Sequence, residues 1–282
     1  MEDEFDEQLP KAEKEMSFLE HLEELRWHII RALLSIVVFA IAAFIFREPI
    51  WHHIILAPSR PDFWTYDMFC KLGGLTGADF FCIDELPFII QNRRMTAQFT
   101  MALTSSFVIG IIIAFPYAFW EIWRFVKPGL YQNEKQLSRG AVFFVTLLFL
   151  TGLLFGYYIV APISINFLTN FKLDESILNE IDLTSYVSTV MMLVLACGIM
   201  FQLPVVVFFL TKAGIITPEF LKTYRKHAIV VILVLSALIT PPDVISQILM
   251  CIPLLFLYEI SILISSTIKK KEDQLLLEEE TN

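Results

Sequence analysis

The side chains with the most chemical reach are carboxylates, and they lie at the ends of apolar blocks rather than inside them. Glu23 and Glu24 fall in His21-Leu22-Glu23-Glu24-Leu25-Arg26, just ahead of the first block. Glu134 follows the second block, in Pro128-Gly129-Leu130-Tyr131-Gln132-Asn133-Glu134. Between them lie the aromatics Trp120, Trp123, Phe125 and Tyr131. An acid at a water–lipid boundary can hold a cation. Arginine suits it best, because the planar guanidinium meets a carboxylate with two parallel hydrogen bonds that an ammonium cannot copy. Each acid taken alone also reads as a solvated surface charge, and the aromatics as a membrane belt. Deeper in the apolar blocks the strong polar groups are few. Gln202 stands beside Pro204, and Glu259 lies in the last block; a helix–helix hydrogen bond is the plain reading for Gln202.

Catalytic and cofactor signatures are absent. The sequence holds no G-x-x-x-x-G-K-[ST], H-E-x-x-H or G-x-S-x-G segment. Gly73-Gly74-Leu75-Thr76-Gly77 lacks the spacing of a dinucleotide loop. His52 and His53 are adjacent, about 100° apart on a helix, and do not form a metal pair. The reading is a protein that is not an enzyme, with no cofactor and no metal. An intramembrane protease, its Ser and His converging in space, and a small-solute secondary transporter with a polar midplane cavity near Gln202 and Ser105 or Ser106 are the competing classes.

The elements that must position these residues are membrane helices. Of the 282 residues 56% are hydrophobic and only 18% charged, against roughly a quarter in ordinary soluble domains. The net charge of -9 sits largely in the two tails, so the body is close to neutral and no affinity for nucleic acid follows. Hydrocarbon cannot satisfy a bare backbone, so a span needs roughly 20 apolar residues in a helix. Residues 29–46, 98–119, 140–160 and 187–210 meet that requirement. Thr240-Pro241-Pro242-Asp243 splits the remaining apolar stretch into 228–239 and 245–264, since two prolines and an acid cannot continue a helix in lipid. The short fifth span either thins the bilayer, packs inside the bundle, or is re-entrant. The fold class is therefore an all-α integral membrane protein with six transmembrane helices.

Flanking charge sets the orientation. With six spans, one side carries Lys11, Lys14, Arg26, Arg124, Lys127, Lys135, Arg139, Lys212, Lys222, Arg225, Lys226 and Lys269 to Lys271. The other carries only Arg47, Arg60, Lys71, Arg93, Arg94 and Lys172, so both termini are expected in the cytoplasm. Residues 1–16 read as a disordered acidic tail and 267–282 as a charged, frayed one, around a six-span domain over 17–266. The acidic start is unlike a cleaved leader, so the first span is expected to direct insertion. Ser17-Phe18-Leu19-Glu20 matches a capping box, and Leu19, Leu22, Leu25 and Ile29 recur at helical spacing. An amphipathic helix over 17–28 should run straight into the first span, with Arg31 reaching back to the headgroups. The 47–97 segment holds Cys70 and Cys82 on the oxidising side, where they are either bridged or two unpaired thiols. Cys197 and Cys251 read as packing residues inside spans. Pro116, Pro162, Pro204 and Pro253 should each kink or end a helix.

Three separated segments, in order and with compatible spacing, resemble one family. They are Phe18 to Arg26, Trp123 to Glu134, and Thr240-Pro241-Pro242-Asp243-Val244-Ile245-Ser246-Gln247 followed by Ile252-Pro253 and Tyr258-Glu259. Together they resemble TatC, the multi-spanning receptor subunit of the twin-arginine protein translocase, over roughly residues 17–267. The resemblance implies a curved, glove-like bundle in the bacterial cytoplasmic (inner) membrane that binds twin-arginine signal peptides of folded precursors. It implies single-span partners of the TatA and TatB type, self-association in a receptor complex, no cofactor, and transport driven by the proton-motive force. It also implies that Glu24 and Glu134 hold the two arginines, that Arg26 is a neighbouring basic position, that Trp123, Phe125 and Tyr131 belong to the same peptide-binding surface, and that Pro58 is the proline of the first external loop. Pro128, Pro241, Pro242, Asp243 and Glu259 match structural positions of its motifs. The chain departs from the family at Gln202, where many members carry an acid, and in its longer first external loop. A bridge between Cys70 and Cys82 makes a direct prediction. Thiol labelling of these two positions in intact cells should rise only after reduction; full labelling beforehand would refute the bridge.

Overall fold

The computed structural model describes residues 18–76, 88–126, 138–174, 176, 179–240 and 244–281. Helix α1 (Phe18–Ile45) joins the amphipathic start and the first span without a break. A short helix α2 (Arg47–Ile50), a π turn (Trp51–Ile55) and a 3₁₀ turn (Ala57–Ser59) lead to helix α3 (Trp64–Thr76) and strand β1 (Ile89–Gln91). The described part of the stretch between the first span and Thr76 is thus largely helical, with Cys70 on α3. Three tyrosine hydroxyls pin it. Tyr157 donates to the Ile54 carbonyl at 2.8 Å, Tyr186 to Ile55 at 3.0 Å and Tyr66 to Pro58 at 2.6 Å. They satisfy carbonyls that irregular turns leave without helical partners. Burial pushes the Tyr66 hydroxyl well above an ordinary phenol.

Helix α4 (Ala97–Val126) continues past the expected end of the second span. Helix α5 (Ser138–Phe155), a π turn (Gly156–Val160) and helix α6 (Ala161–Asn170) form the third. Strand β2 (Glu180–Asp182) pairs in parallel with β1, Ile90 opposite Ile181. Asp182 caps helix α7 (Leu183–Met200), and the Thr184 hydroxyl that donates to it holds its carboxyl below the usual range. After a turn at Phe201 and Gln202 comes helix α8 (Leu203–Lys212), then short helix α9 (Pro218–Thr223), helix α10 (Arg225–Ile239) and helix α11 (Val244–Thr281).

Among the described residues five helical stretches are long and apolar enough to cross a membrane: Leu22–Ile45, Ala97–Val126, Gly140–Asn170, Leu183–Lys212 and Val244–Lys271. Helix α10, at 15 residues, corresponds to the expected short fifth span and falls below that length. Two sequence expectations change. The tail from 267 is not frayed, because α11 runs to Thr281 and Lys269 donates to Glu219 of α9 at 3.0 Å. Pro116 and Pro253 interrupt nothing, whereas Pro162 follows the π turn and Pro204 opens α8. Proline needs no donor in a first turn, so only the latter two fall where a break accommodates them.

Much of the apolar surface faces outward. On α1 Leu33, Leu34, Val37, Val38 and Ile41 are all exposed, as a lipid-facing helix requires. Inside, two buried clusters meet along α7. One gathers Leu193, Cys197, Phe201, Leu254 and Ile262, and the other Ile55, Met101, Tyr186 and Val190. Cys197 and Cys251 are buried and unbridged, as packing residues.

Lipid supplies no hydrophobic drive between helices, so close approach through small residues must. Helix α4 places buried Ser106, Gly110 and Ala114 four apart on one face, against α1. A Cβ added at Gly110 would stand 2.7 Å from the Ala40 backbone nitrogen. Gly152 of α5 and Gly156 of the π turn that follows do the same against α7, where an added Cβ at 152 would meet the Cys197 carbonyl at 2.6 Å. Gly110→Ala and Gly152→Ala should therefore each destabilise the detergent-solubilised protein by about 1–3 kcal/mol, as overpacking does. Gly74→Ala, with nothing within 4 Å, should leave stability unchanged or raise it. Thermal unfolding of the three variants checks this.

Candidate functional site

The polar residues converge where the first turns of α1 meet the last turns of α4. Glu24, His28 and Arg31 lie at helical spacing along one side of α1, and Tyr117 and Glu121 one turn apart on α4. The two helices pack along their lengths, so these sets meet. Glu121 is the centre: its side chain is only 2% exposed. Its Oε2 lies 2.5 Å from His28 Nδ1, and its Oε1 accepts from the Tyr117 hydroxyl at 2.8 Å. Arg31 Nη1 stands 3.8 Å from the same Oε2, so Arg31 leans toward Glu121 as well as toward solvent. Glu24 lies outside this knot. Its carboxylate is 42% exposed, and His28 Nε2 is 3.9 Å away, beyond hydrogen-bond distance.

A carboxylate buried near a helix C-terminus is opposed twice, by desolvation and by the helix dipole. Glu121 is tolerated because hydrogen bonds and two basic groups offset both. Phe125 completes the junction, its ring 6.2 Å from the His28 ring. Trp120 lies under the Arg124 guanidinium at 5.5 Å.

The residues singled out from the sequence distribute unevenly. Glu24 is at the junction and half-buried, while Arg26 points off the other side of α1, its guanidinium 5.8 Å from the Trp27 ring. Trp123 is not part of an open surface. It is buried against Phe209 of α8 at 5.0 Å and Phe119 at 6.3 Å, because its position on α4 faces the bundle. Pro58 is buried under Tyr66 at the opposite end. Glu259 accepts from Arg225 at 2.8 Å, tying α11 to the start of α10 in a half-exposed pair. Gln202 occupies the turn between α7 and α8. Its amide donates to the Val145 carbonyl at a long 3.3 Å, and its Oε1 is buried without a partner. Cys70 is disulfide-bonded. Tyr131, Glu134, Pro128, Pro241, Pro242, Asp243 and Cys82 lie outside the described residues.

Sequence reasoning passed over His28 and Glu121. Their signal was present: an acid inside Phe119-Trp120-Glu121-Ile122-Trp123, and a histidine one turn after Glu24. Ending the second span at Phe119 placed Glu121 outside it, where an acid needs no explanation. The residues a solute cavity would need do not converge. Ser105 donates to its own helix at Ala102, and Gln202 bonds to α5. Among the described residues no group of three His, Cys, Asp or Glu could hold a metal.

Helices of this length and apolarity define a multi-pass membrane protein, with a polar junction at one end and no metal-binding cluster among the described residues. The sequence model of the family described as Sec-independent protein translocase protein (TatC) matches residues 20–253. The TatC protein of Blattabacterium sp. subsp. Periplaneta americana (strain BPLAN) is 40% identical over 267 residues, covering 93% of this chain and 100% of the relative. The TatCy protein of Bacillus subtilis (strain 168) is 36% identical over 258 residues, 91% of each chain. A crystal structure titled Twin Arginine Translocase Receptor- TatC in DDM superposes with a TM-score of 0.68 at 33% identity, covering 87% of this chain and 99% of that one. The chain belongs to the TatC family of protein translocase components.

The orphaned Oε1 of Gln202 yields a test. A buried amide with one long bond contributes little, so Gln202→Leu should change stability by less than about 1 kcal/mol. A drop of several degrees in the thermal midpoint would show that the Val145 contact matters more than its geometry suggests.

Proposed function

We propose that this chain is the receptor subunit of a twin-arginine translocase. It binds the signal peptides of folded precursors at the cytoplasmic face of a bacterial inner membrane and organises their export. The observation that carries the reading is the half-exposed Glu24 carboxylate at the α1–α4 junction, one turn before His28, whose ring meets Phe125 near the end of α4. The related crystal structure is titled a twin-arginine translocase receptor, which supports the same assignment. In this reading both termini are cytoplasmic, α10 is the short fifth of six crossing helices, and single-span subunits of the TatA and TatB type pack on the outward apolar faces. Copies of the chain associate in the receptor complex, and the proton-motive force drives transport.

Two arginines presented together need two carboxylates. An exposed pair is worth about 0.2–1 kcal/mol, but a partly dehydrated, charge-assisted bond is worth roughly 1.5–3 kcal/mol. Two such bonds separate a twin-arginine from a twin-lysine leader because the guanidinium fork matches each carboxylate and the ammonium does not. The apolar stretch of the signal then lies along the concave face. Glu24→Gln and Glu134→Gln should each weaken binding of a twin-arginine signal peptide to the purified chain by about tenfold, the size of one lost charge-assisted bond. A twin-lysine peptide should bind the parent poorly. Equal binding of both peptides to the intact chain would contradict the proposal.

A further inference from the structure

The α1 face that carries Glu24 also carries two basic groups of its own, and they are the competitors an incoming arginine must displace. His28 follows Glu24 by one turn, with Nε2 at 3.9 Å from its carboxylate. Arg31, one turn further, is half exposed and long enough to swing along the helix. Glu24 and His28 are spaced four apart, a pair that attracts by default, so a bare α1 would fold the His28 ring onto Glu24, and the Arg31 guanidinium, seven residues on, could reach down the same face after it. The structure shows both engaged from across the seam, His28 through its Nδ1 while its Nε2 stays short of hydrogen-bond contact with Glu24. Glu121 of α4 holds the His28 Nδ1 at 2.5 Å and stands 3.8 Å from Arg31, while Tyr117 fixes its other oxygen at 2.8 Å.

We infer that Glu121 is a specificity-determining residue for the ligand of Glu24. By engaging His28 and Arg31 from across the seam, its buried carboxylate keeps α1's own donors off Glu24 and leaves that acid open to a guanidinium from outside. The inference rests on the reading of Glu24 as a signal-peptide ligand. It also accounts for a buried acid at a place where burial and the helix dipole both oppose one. Packing alone would be served as well by an apolar residue.

The test is binding of a fluorescent twin-arginine signal peptide to the purified, detergent-solubilised full chain. Glu121→Gln keeps the shape and an oxygen for Tyr117 but loses the charge. It should weaken binding by about tenfold, as His28 and Arg31 turn to Glu24. Adding His28→Gln and Arg31→Gln to that variant should restore affinity to within about threefold of the parent, because the competitors are gone. A merely structural role for Glu121 predicts the opposite, since two further substitutions at the seam can only loosen it. Weakened binding without rescue, or no weakening by Glu121→Gln, overturns the inference. If Glu121→Gln does not fold, the parent with His28→Gln and Arg31→Gln decides. Affinity at least equal to the parent's supports the inference, and weaker affinity overturns it. Glu24→Gln run in parallel separates the two levels. If it binds as the parent does, the ligand role of Glu24 fails and the inference with it; if it weakens binding while Glu121→Gln does not, only the inference falls.

Discussion

The close approach of α1 to α4 is the constraint from which the rest of the site follows. Gly110 lets the backbone of α4 come to Ala40 at a distance that no side chain could occupy. In lipid, where apolar surfaces gain nothing by leaving the solvent, such contact is the main source of attraction between helices. The seam is small-sided around Ser106, Gly110 and Ala114, and it carries charge at one end. There Glu121, His28, Tyr117 and Arg31 satisfy one another across the two helices. A seam of this kind fixes the relative rotation of α1 and α4, and with it the face on which Glu24 emerges.

The other seams serve to brace that pair. Trp123 locks the end of α4 to Phe209 of α8, and Gly152 and Gly156 bring α5 onto α7. At the opposite end Tyr66, Tyr157 and Tyr186 tie down the irregular segment after the first span. Lys269 and Glu219, and Arg225 and Glu259, connect α11 to α9 and α10 through exposed ion pairs of small individual energy. Together these contacts hold the α1–α4 junction, where the Glu24 carboxylate is half exposed beside the buried Glu121.

The spans were legible in the sequence because lipid enforces a strict rule on length and polarity, which Ile29 to Phe46 and Val187 to Leu210 obey plainly. Glu24 stood out in the sequence because it lies in a polar segment with a specific neighbourhood, just ahead of an apolar block. The ends of elements were legible only in part. Pro204 marked the break near Gln202, but the charges at Glu121 and Arg124 read as the end of a span although α4 runs through them to Val126, so Glu121 was left outside the helix that buries it. Trp123 was misplaced for a related reason: composition gives an aromatic at the interface, while only the rotation of α4 decides whether it faces water or α8. The His28–Glu121 contact joins residues far apart in the chain, and pairwise contact of that kind appears only once the seam is built.

The most direct measurement places a photo-reactive group beside the arginines of a twin-arginine signal peptide, binds it to the full chain, and maps the crosslinks by mass spectrometry. The account predicts adducts on residues 18–28 of α1 and on the segment from Phe125 through Glu134. Adducts confined to the opposite end, around Trp51, Pro58 and Arg60, would contradict it.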